Sequence, residues 1–188
     1  MFKLAIGPDA HLALIEPRHA RELNQLIKGS YEHLHEWSNW LKNNDQTVDE
    51  TEEWIKKNQL SYGSGSGYEI GIWHEGNMAG QIGYNYFDRE NHRTEIGYWL
   101  GATFQGKGLI TRGCRALIGH AFDNLDVKRI EIRCCTENLK SRKIPEKFGF
   151  KLEGVARNGE WLHDRFCDLA IYAMLAEEWN DIKQNASK

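Results

Sequence analysis

Cysteine and proline are scarce in this chain, with four of the first and three of the second among 188 residues. Cys114, Cys134, Cys135 and Cys167 form no CxxC pair. Cys134 and Cys135 are adjacent on a predicted strand, so their side chains point to opposite faces and should not pair with each other. All four read as small buried hydrophobes rather than redox or nucleophilic groups, a reading that goes with a reducing cytoplasm. No apolar run approaches the roughly 18 residues that a membrane helix needs. The opening MFKLAIGPDA carries too short an apolar stretch for a signal peptide. Charge of one sign is not in excess either, with 24 Lys and Arg against 27 Asp and Glu. The net charge of -3 gives no electrostatic reason to expect nucleic-acid binding. The eight histidines are scattered. The nearest to a cluster, His33-x-His35, would not share a helix face, and no carboxylate or cysteine completes a set, so no metal is expected.

What is present is concentrated in residues 94–111, TEIGYWLGATFQGKGLIT. Ile96, Tyr98 and Leu100 alternate as on a strand. Gln105-Gly106-Lys107-Gly108 follows, and then a helix-period series, Ile110, Cys114, Leu117, Ile118 and Ala121. A strand, a glycine turn and a helix N-terminus make an anion cradle. Glycine lets the backbone approach closely, and the first helical amides have no intrahelical partner. The ligand this predicts carries phosphate.

Spacing narrows which phosphate. Gly101-x4-Gly106-Lys107 nearly spells a nucleotide-triphosphate loop, but Gly108 stands where a magnesium-holding Ser or Thr belongs. A dinucleotide GxGxxG also fails, because no third glycine comes before Gly113. The segment resembles the Gln/Arg-x-x-Gly-x-Gly/Ala signature of the GCN5-related N-acetyltransferases. Gln105, Gly106, Lys107, Gly108 and Leu109 fit it, and Ile110 departs. Downstream, Asn138-Leu139-Lys140-Ser141 and Glu146-Lys147-Phe148-Gly149-Phe150 are similar to the RimJ/RimL branch, which acetylates the N-termini of ribosomal proteins. The strand Glu95–Leu100 and the acid Glu160 match that branch as well. The resemblance covers about residues 10–175 of one domain spanning 1–188.

Several implications follow from the resemblance. Acetyl-CoA is the cosubstrate. The backbone of Tyr98, Trp99 and Leu100 would pair with pantetheine like another strand, though their side chains read equally as core. The turn of Gln105, Gly106, Lys107, Gly108, Leu109, Ile110 and Thr111 would hold the pyrophosphate. Lys107 contacts phosphate or faces solvent. Asn138 would bond the pantetheine arm, or cap the helix that begins near Leu139. Members of the branch often self-associate, so a homo-oligomer is among the expectations.

The elements predicted along the chain are a strand at residues 12–16 and a helix opening at Pro17 with Ala20, Leu23, Leu26 and Ile27 inward. A second helix is predicted at 31–42 and a third at 50–61, capped by Thr47 or Asp49. A flexible Gly/Ser stretch follows at 61–67. Strands are predicted at 68–74, 78–86, 94–100, 129–136, 150–155 and 165–175, with helices after Gly108 and at 139–148. This order is α+β, one domain around a single mixed sheet. The resemblance implies a mostly antiparallel sheet flanked by helices, with a splay between the strands at 94–100 and 129–136 where the cofactor enters.

Acetyl transfer to an amine asks for a base, and for a proton on the leaving thiolate. Glu160 is the candidate base: it follows the turn signal Asn158-Gly159 and precedes Trp161, which would lower the local dielectric. The competing reading is a solvated hairpin carboxylate, and Asp164 and Asp168 are weaker candidates. Ser141 is the candidate donor to the thiolate, or merely a helix-start serine. Many relatives place a tyrosine seven residues after the asparagine; Pro145 stands there, with no proton to give. Pro145 falls inside the predicted helix and removes the bond to the Ser141 carbonyl. Tyr31, Trp37 and Trp40 wall an acceptor groove or belong to the core. The acceptor expected is the α-amino terminus of a protein, with a small amine such as a polyamine, antibiotic or toxin as the alternative. A coenzyme-A sensor without turnover is a third reading.

Overall fold

The computed structural model describes residues 3–186; Met1, Phe2, Ser187 and Lys188 of the expected domain lie outside the described residues. The strands are β1 (Lys3–Ala5), β2 (Ala10–Ala13), β3 (Tyr68–His74), β4 (Asn77–Asp88), β5 (Arg93–Leu100), β6 (Arg129–Cys135), β7 (Lys151–Leu162) and β8 (Arg165–Leu175). The helices are α1 (Ala20–Gly29), α2 (Tyr31–His35), α3 (Val48–Ser64), α4 (Leu109–Asn124), α5 (Leu139–Lys147) and α6 (Ala176–Ala186). One sheet takes the order β1-β2-β3-β4-β5-β6-β8-β7. Every neighbouring pair is antiparallel except β5 and β6. The mixed, mostly antiparallel α+β sheet is therefore as the sequence leads one to expect.

Alternation decides which face each strand gives to which helices. Ile70, Ile72, Ile82, Ile96, Ile130 and Ile132 are buried against Leu109, Cys114, Leu117 and Ile118 of α4. The opposite side is closed by α1 and α3, whose Leu23, Ile27 and Ile55 pack with Trp73 and Met78. Each fully buried Leu or Ile contributes roughly 1.5–3 kcal/mol over an exposed one, so these two faces hold the sheet. A reciprocal capping box between Thr47 and Glu50 opens α3. The buried Asn24 amide, 3.0 Å from Thr51 Oγ1, ties that helix to α1.

The parallel pair β5–β6 runs for three residue pairs, Arg93–Glu95 against Arg129–Glu131, and then the strands part. Arg133 straddles the parting, 2.6 Å from Glu131 and 3.3 Å from Glu95. Beyond it lies the splay.

Several expectations need correction. The helix foreseen at 31–42 stops at His35. The His35 ring stacks on His163 at 3.7 Å, and the chain then turns across the C-terminal strands. The stretch at 61–67 is not a loop throughout. Helix α3 continues to Ser64, and left-handed Gly65 (φ 67°) closes it with its amide on the Ser61 and Tyr62 carbonyls. Asn158-Gly159 does not turn the chain; it lies inside β7, at a register shift between Ala156 and Glu160. The hairpin instead turns through His163 and Asp164, with His163 at φ 52°. The first strand sits two residues earlier than foreseen, at Ala10–Ala13. Neither β1 nor α6, which buries Trp179, had been foreseen.

The cysteine reading is half overturned. Cys114 and Cys134 are free and buried, but Cys135 and Cys167 form a disulfide with Cα atoms 5.8 Å apart. Strands β6 and β8 are antiparallel with Cys135 opposite Leu169, which brings Cys167 two positions along the same face. Nothing local in the sequence reveals a pairing 32 residues apart. The cysteines as a set therefore no longer argue for a reducing compartment.

Candidate active site

The splay opens into a cleft of about 1590 Å³. It is lined by Tyr98, Trp99, Leu100, Gln105, Gly106, Gly108, Leu109, Ile110, Thr111, Asn138, Ser141 and Glu160, among others. One cavity thus gathers these candidates, but not Tyr31, Asp164 or Asp168, and not Lys107. That side chain is exposed, with its ammonium 5.8 Å from the centre of the Phe104 ring.

The phosphate end is built from backbone. Gly106 and Gly108 hold φ of 77° and 71°, in the left-handed region where a β-carbon is penalised. A β-carbon on either would meet no atom within 4 Å, so the space above the turn is open. The helical ladder of α4 begins with Arg112 N donating to Gly108 O at 3.0 Å. The amides of Leu109, Ile110 and Thr111 precede that first bond and have no intrahelical acceptor. Their side chains anchor the turn: Leu109 is fully buried and Ile110 nearly so. Gln105 spans the mouth, its Nε2 3.0 Å from His33 Nε2 and its Oε1 accepting from Lys140 at 3.0 Å. Open glycine backbone, free amides and nearby Lys140 and Lys143 suit a pyrophosphate with a long, thin arm.

The candidate proton donor has a structural reason for its place. Asn138 Oδ1 accepts from the Ser141 amide at 3.1 Å, so Asn138 is the N-cap of α5. Pro145 lies inside α5 and has no N–H for the Ser141 carbonyl. The Tyr98 hydroxyl donates to that freed carbonyl at 3.0 Å and accepts from Ser141 Oγ at 3.3 Å. Nothing in the sequence directly reveals this Tyr98–Ser141 pair, for the Tyr98 side chain reads there as core. Burial holds the Tyr98 phenol well above its ordinary range, so it stays protonated beside the serine.

Glu160 lies on β7 just past the register shift, which sends its side chain into the cleft. Asn39, on the turn that replaces the foreseen helix, donates to Glu160 Oε1 at 2.6 Å. Burial first, and the neighbouring Glu95 charge second, raise the Glu160 carboxyl above the usual carboxylate range; the Asn39 bond opposes them. Glu95 is itself held by Asn85 at 2.6 Å and by Arg133. Trp37 and Trp40 line the cleft, whereas Tyr31 packs with the α1–α3 cluster. Cys135, Cys167 and Glu160 place ligand atoms within 4.8 Å of one another, but the two sulfurs are bonded to each other and offer no thiolates.

The cleft carries charges of both signs, with Lys140 and Lys143 on α5 and Glu69, Glu95 and Glu160 on the strands. Glu69 is unlike the other acids. Its carboxylate has no hydrogen-bond or ionic partner among the described residues, and burial pushes its carboxyl up to about 7. A carboxyl raised in the folded state binds a proton there that the unfolded chain has already released. Its cost to stability is therefore absent below about pH 4.5, grows as the pH rises toward 7 and stays constant above. Glu69→Gln is expected to stabilise the fold by on the order of 2 kcal/mol at pH 8 and by nothing at pH 4. Denaturant unfolding at the two pH values checks this.

A family model for the acetyltransferase (GNAT) domain matches residues 11–151. The chain belongs to the GNAT acetyltransferases. Among relatives of this acetyltransferase is the putative ribosomal N-acetyltransferase YdaF of Bacillus subtilis (strain 168), 34% identical over 183 residues. The match covers 97% of this chain and 100% of that protein. The ribosomal-protein-serine acetyltransferase of Escherichia coli (strain K12) is 28% identical over 174 residues, 93% of this chain and 97% of that one. The solved structure of RimL, a ribosomal L7/L12 alpha-N-protein acetyltransferase in complex with coenzyme A, superposes with a TM-score of 0.89 at 25% identity. It covers 94% of this acetyltransferase and 99% of that chain.

Proposed function

We propose that this acetyltransferase moves an acetyl group from acetyl-CoA to the α-amino terminus of a protein, a ribosomal protein by the names of its relatives. The observation that carries the reading is that one cleft is lined by the glycine turn with the start of α4, by Ser141 and by Glu160. Acetyl-CoA would supply the thioester that is attacked. The amides of residues 109–111 and the Gly106–Gly108 turn hold its diphosphate. Glu160, with Oε1 fixed by Asn39, takes the proton of the incoming ammonium on its other oxygen. Ser141 Oγ, backed by the Tyr98 hydroxyl, gives a proton to the departing sulfur. Glu160 ends protonated, and the second proton, shed by the nitrogen as the tetrahedral adduct collapses, passes through water to Ser141. Positioning supplies most of the remaining acceleration.

One carboxylate and one hydroxyl suit a nucleophile that is already partly neutral. An α-amine titrates near 7.7–8.0, so about one in eight is neutral at pH 7, whereas a lysine near 10.4 is neutral about once in 2,500. Accepting a lysine would require the site to offset roughly 4.6 kcal/mol, against about 1 kcal/mol for a terminal amine. The acidic acceptor end, with Glu69, Glu95 and Glu160, also favours a second reading in which the acceptor is a small polyamine. The test compares a free-N-terminus peptide with its N-blocked, lysine-containing twin at equal concentration, mass spectrometry locating the acetyl group. Acetylation of the free terminus only is expected. A blocked peptide modified as fast or faster would overturn the terminal-amine reading.

A further inference from the structure

Cross-strand neighbours project from the same face of a sheet. Glu69 of β3 is paired with Gly83 of β4, and Gly83 with Gly97 of β5. This row lies on the cleft side, for Glu69 and Gly97 both line the cleft. Gly83 is fixed by backbone, whereas Gly97 is covered by a side chain, that of Asn85. A β-carbon on Gly83 would sit 2.1 Å from the Tyr68 carbonyl oxygen, and one on Gly97 would sit 2.5 Å from Asn85 Oδ1. The Asn85 amide lies over Gly97, and the row therefore offers no side chain of its own except the Glu69 carboxylate at its end. There the cleft meets a smaller hollow of about 290 Å³ that shares Glu69 and Asn85 with it.

The other acids of the cleft are engaged or in solvent. Glu160 is bonded by Asn39, Glu95 by Asn85 and Arg133, and Glu137 by Arg165, while Glu36 is exposed. Glu69 is half-buried, its own backbone is satisfied by Asn58 on both sides, and its carboxylate is left without a partner among the described residues. A half-buried carboxylate lacking a partner costs free energy that a bound cation recovers. A group placed this way at the end of a substrate cleft, beside two glycines, is built to meet something in the ligand.

We infer that Glu69 seats a second cationic group of the acceptor, so that preferred acceptors carry one positive charge besides the amine that reacts. The inference rests on the reading of this cleft as an amine acceptor site and names the class of amine it favours. In a peptide the second charge is a Lys or Arg side chain near the N-terminus; in a small molecule it is the far amine of a diamine. Glu69 is thus a specificity residue, distinct from the proton-transfer groups.

The test uses free-N-terminus peptides that differ only in Lys or Gln at the second and third positions, together with a linear diamine and its monoamine analogue. Wild-type protein is expected to favour the dicationic member of each pair by roughly tenfold or more in kcat/KM, the worth of a charged hydrogen bond. In Glu69→Gln that preference should vanish through KM, with the KM for acetyl-CoA unchanged. In Glu69→Lys it should reverse toward peptides with Glu at the same positions. A merely structural role for Glu69 would instead move both substrates' KM values together. If peptides are inert and diamines react, the terminal-amine reading falls while the diamine–monoamine ratio still decides the role of Glu69. Calorimetric binding of the diamine to the wild type and to Glu69→Gln reads the same contrast without turnover. Equal preference in the wild type, or a preference that persists in Glu69→Gln, overturns the inference.

Discussion

Acetyl transfer by Glu160→Gln is expected to be slower than wild type by about 10²–10⁴, the usual worth of a general base. Glutamine keeps the size and one carbonyl oxygen, so the Asn39 contact at 2.6 Å has an acceptor to retain. The proton-accepting oxygen is what disappears. The loss should fall on kcat, while the Kd for acetyl-CoA changes little, because Glu160 stands away from the cradle on β7. Steady-state kinetics on the true acceptor, beside calorimetry with the cofactor, separates the two effects. A loss smaller than about tenfold, below the typical worth of a general base, would make Glu160 a bystander.

The second large effect is expected at the cradle. Gly108→Trp should abolish acetyl-CoA binding and leave the fold intact. The indole would fall in space that is open now, where a β-carbon meets no atom within 4 Å. Position 108 is exposed and left-handed, so the fold bears roughly 1–2 kcal/mol of backbone strain and loses no core contact. Lys107→Ala should do far less, because that ammonium lies against the Phe104 ring rather than in the cleft. Calorimetric titration with acetyl-CoA and a thermal melt of each variant check both halves. Unchanged affinity in Gly108→Trp would refute the assignment of residues 105–111.

Much of this was legible because the informative signals were local. Alternation in residues 94–100, the glycine turn and the period of α4 are short-range patterns, and the structure keeps each of them. The capping roles of Thr47 and Asn138 are likewise written within three residues of where they act. What failed depended on distance. Trp37 and Trp40 have helical spacing, yet the helix ends at His35, whose ring stacks on His163, and the turn that follows delivers Asn39 to Glu160, 121 residues away. The Cys135–Cys167 bond follows from the β6–β8 register, which no spacing reveals. Asn158-Gly159 is a true turn signal, and long pairing of β7 with β8 turned it into a bulge instead. The Tyr98–Ser141 pair joins β5 to α5 across the splay, and its sequence trace is indirect: Pro145 frees the carbonyl that Tyr98 binds.

The parting of β5 from β6 makes the sheet two leaves, β1 to β5 and β6 to β8, with a hinge three residue pairs long. Arg133, reaching from one leaf to Glu95 on the other, acts as a clasp beside that hinge. The facing edges beyond it carry unspent backbone donors and acceptors, so a linear amide laid between them would work as mortar and turn two plates into one slab. Rigidity and occupancy are then a single quantity in this molecule. Whatever fills the seam also sets how readily the leaves breathe and how much heat the whole chain withstands.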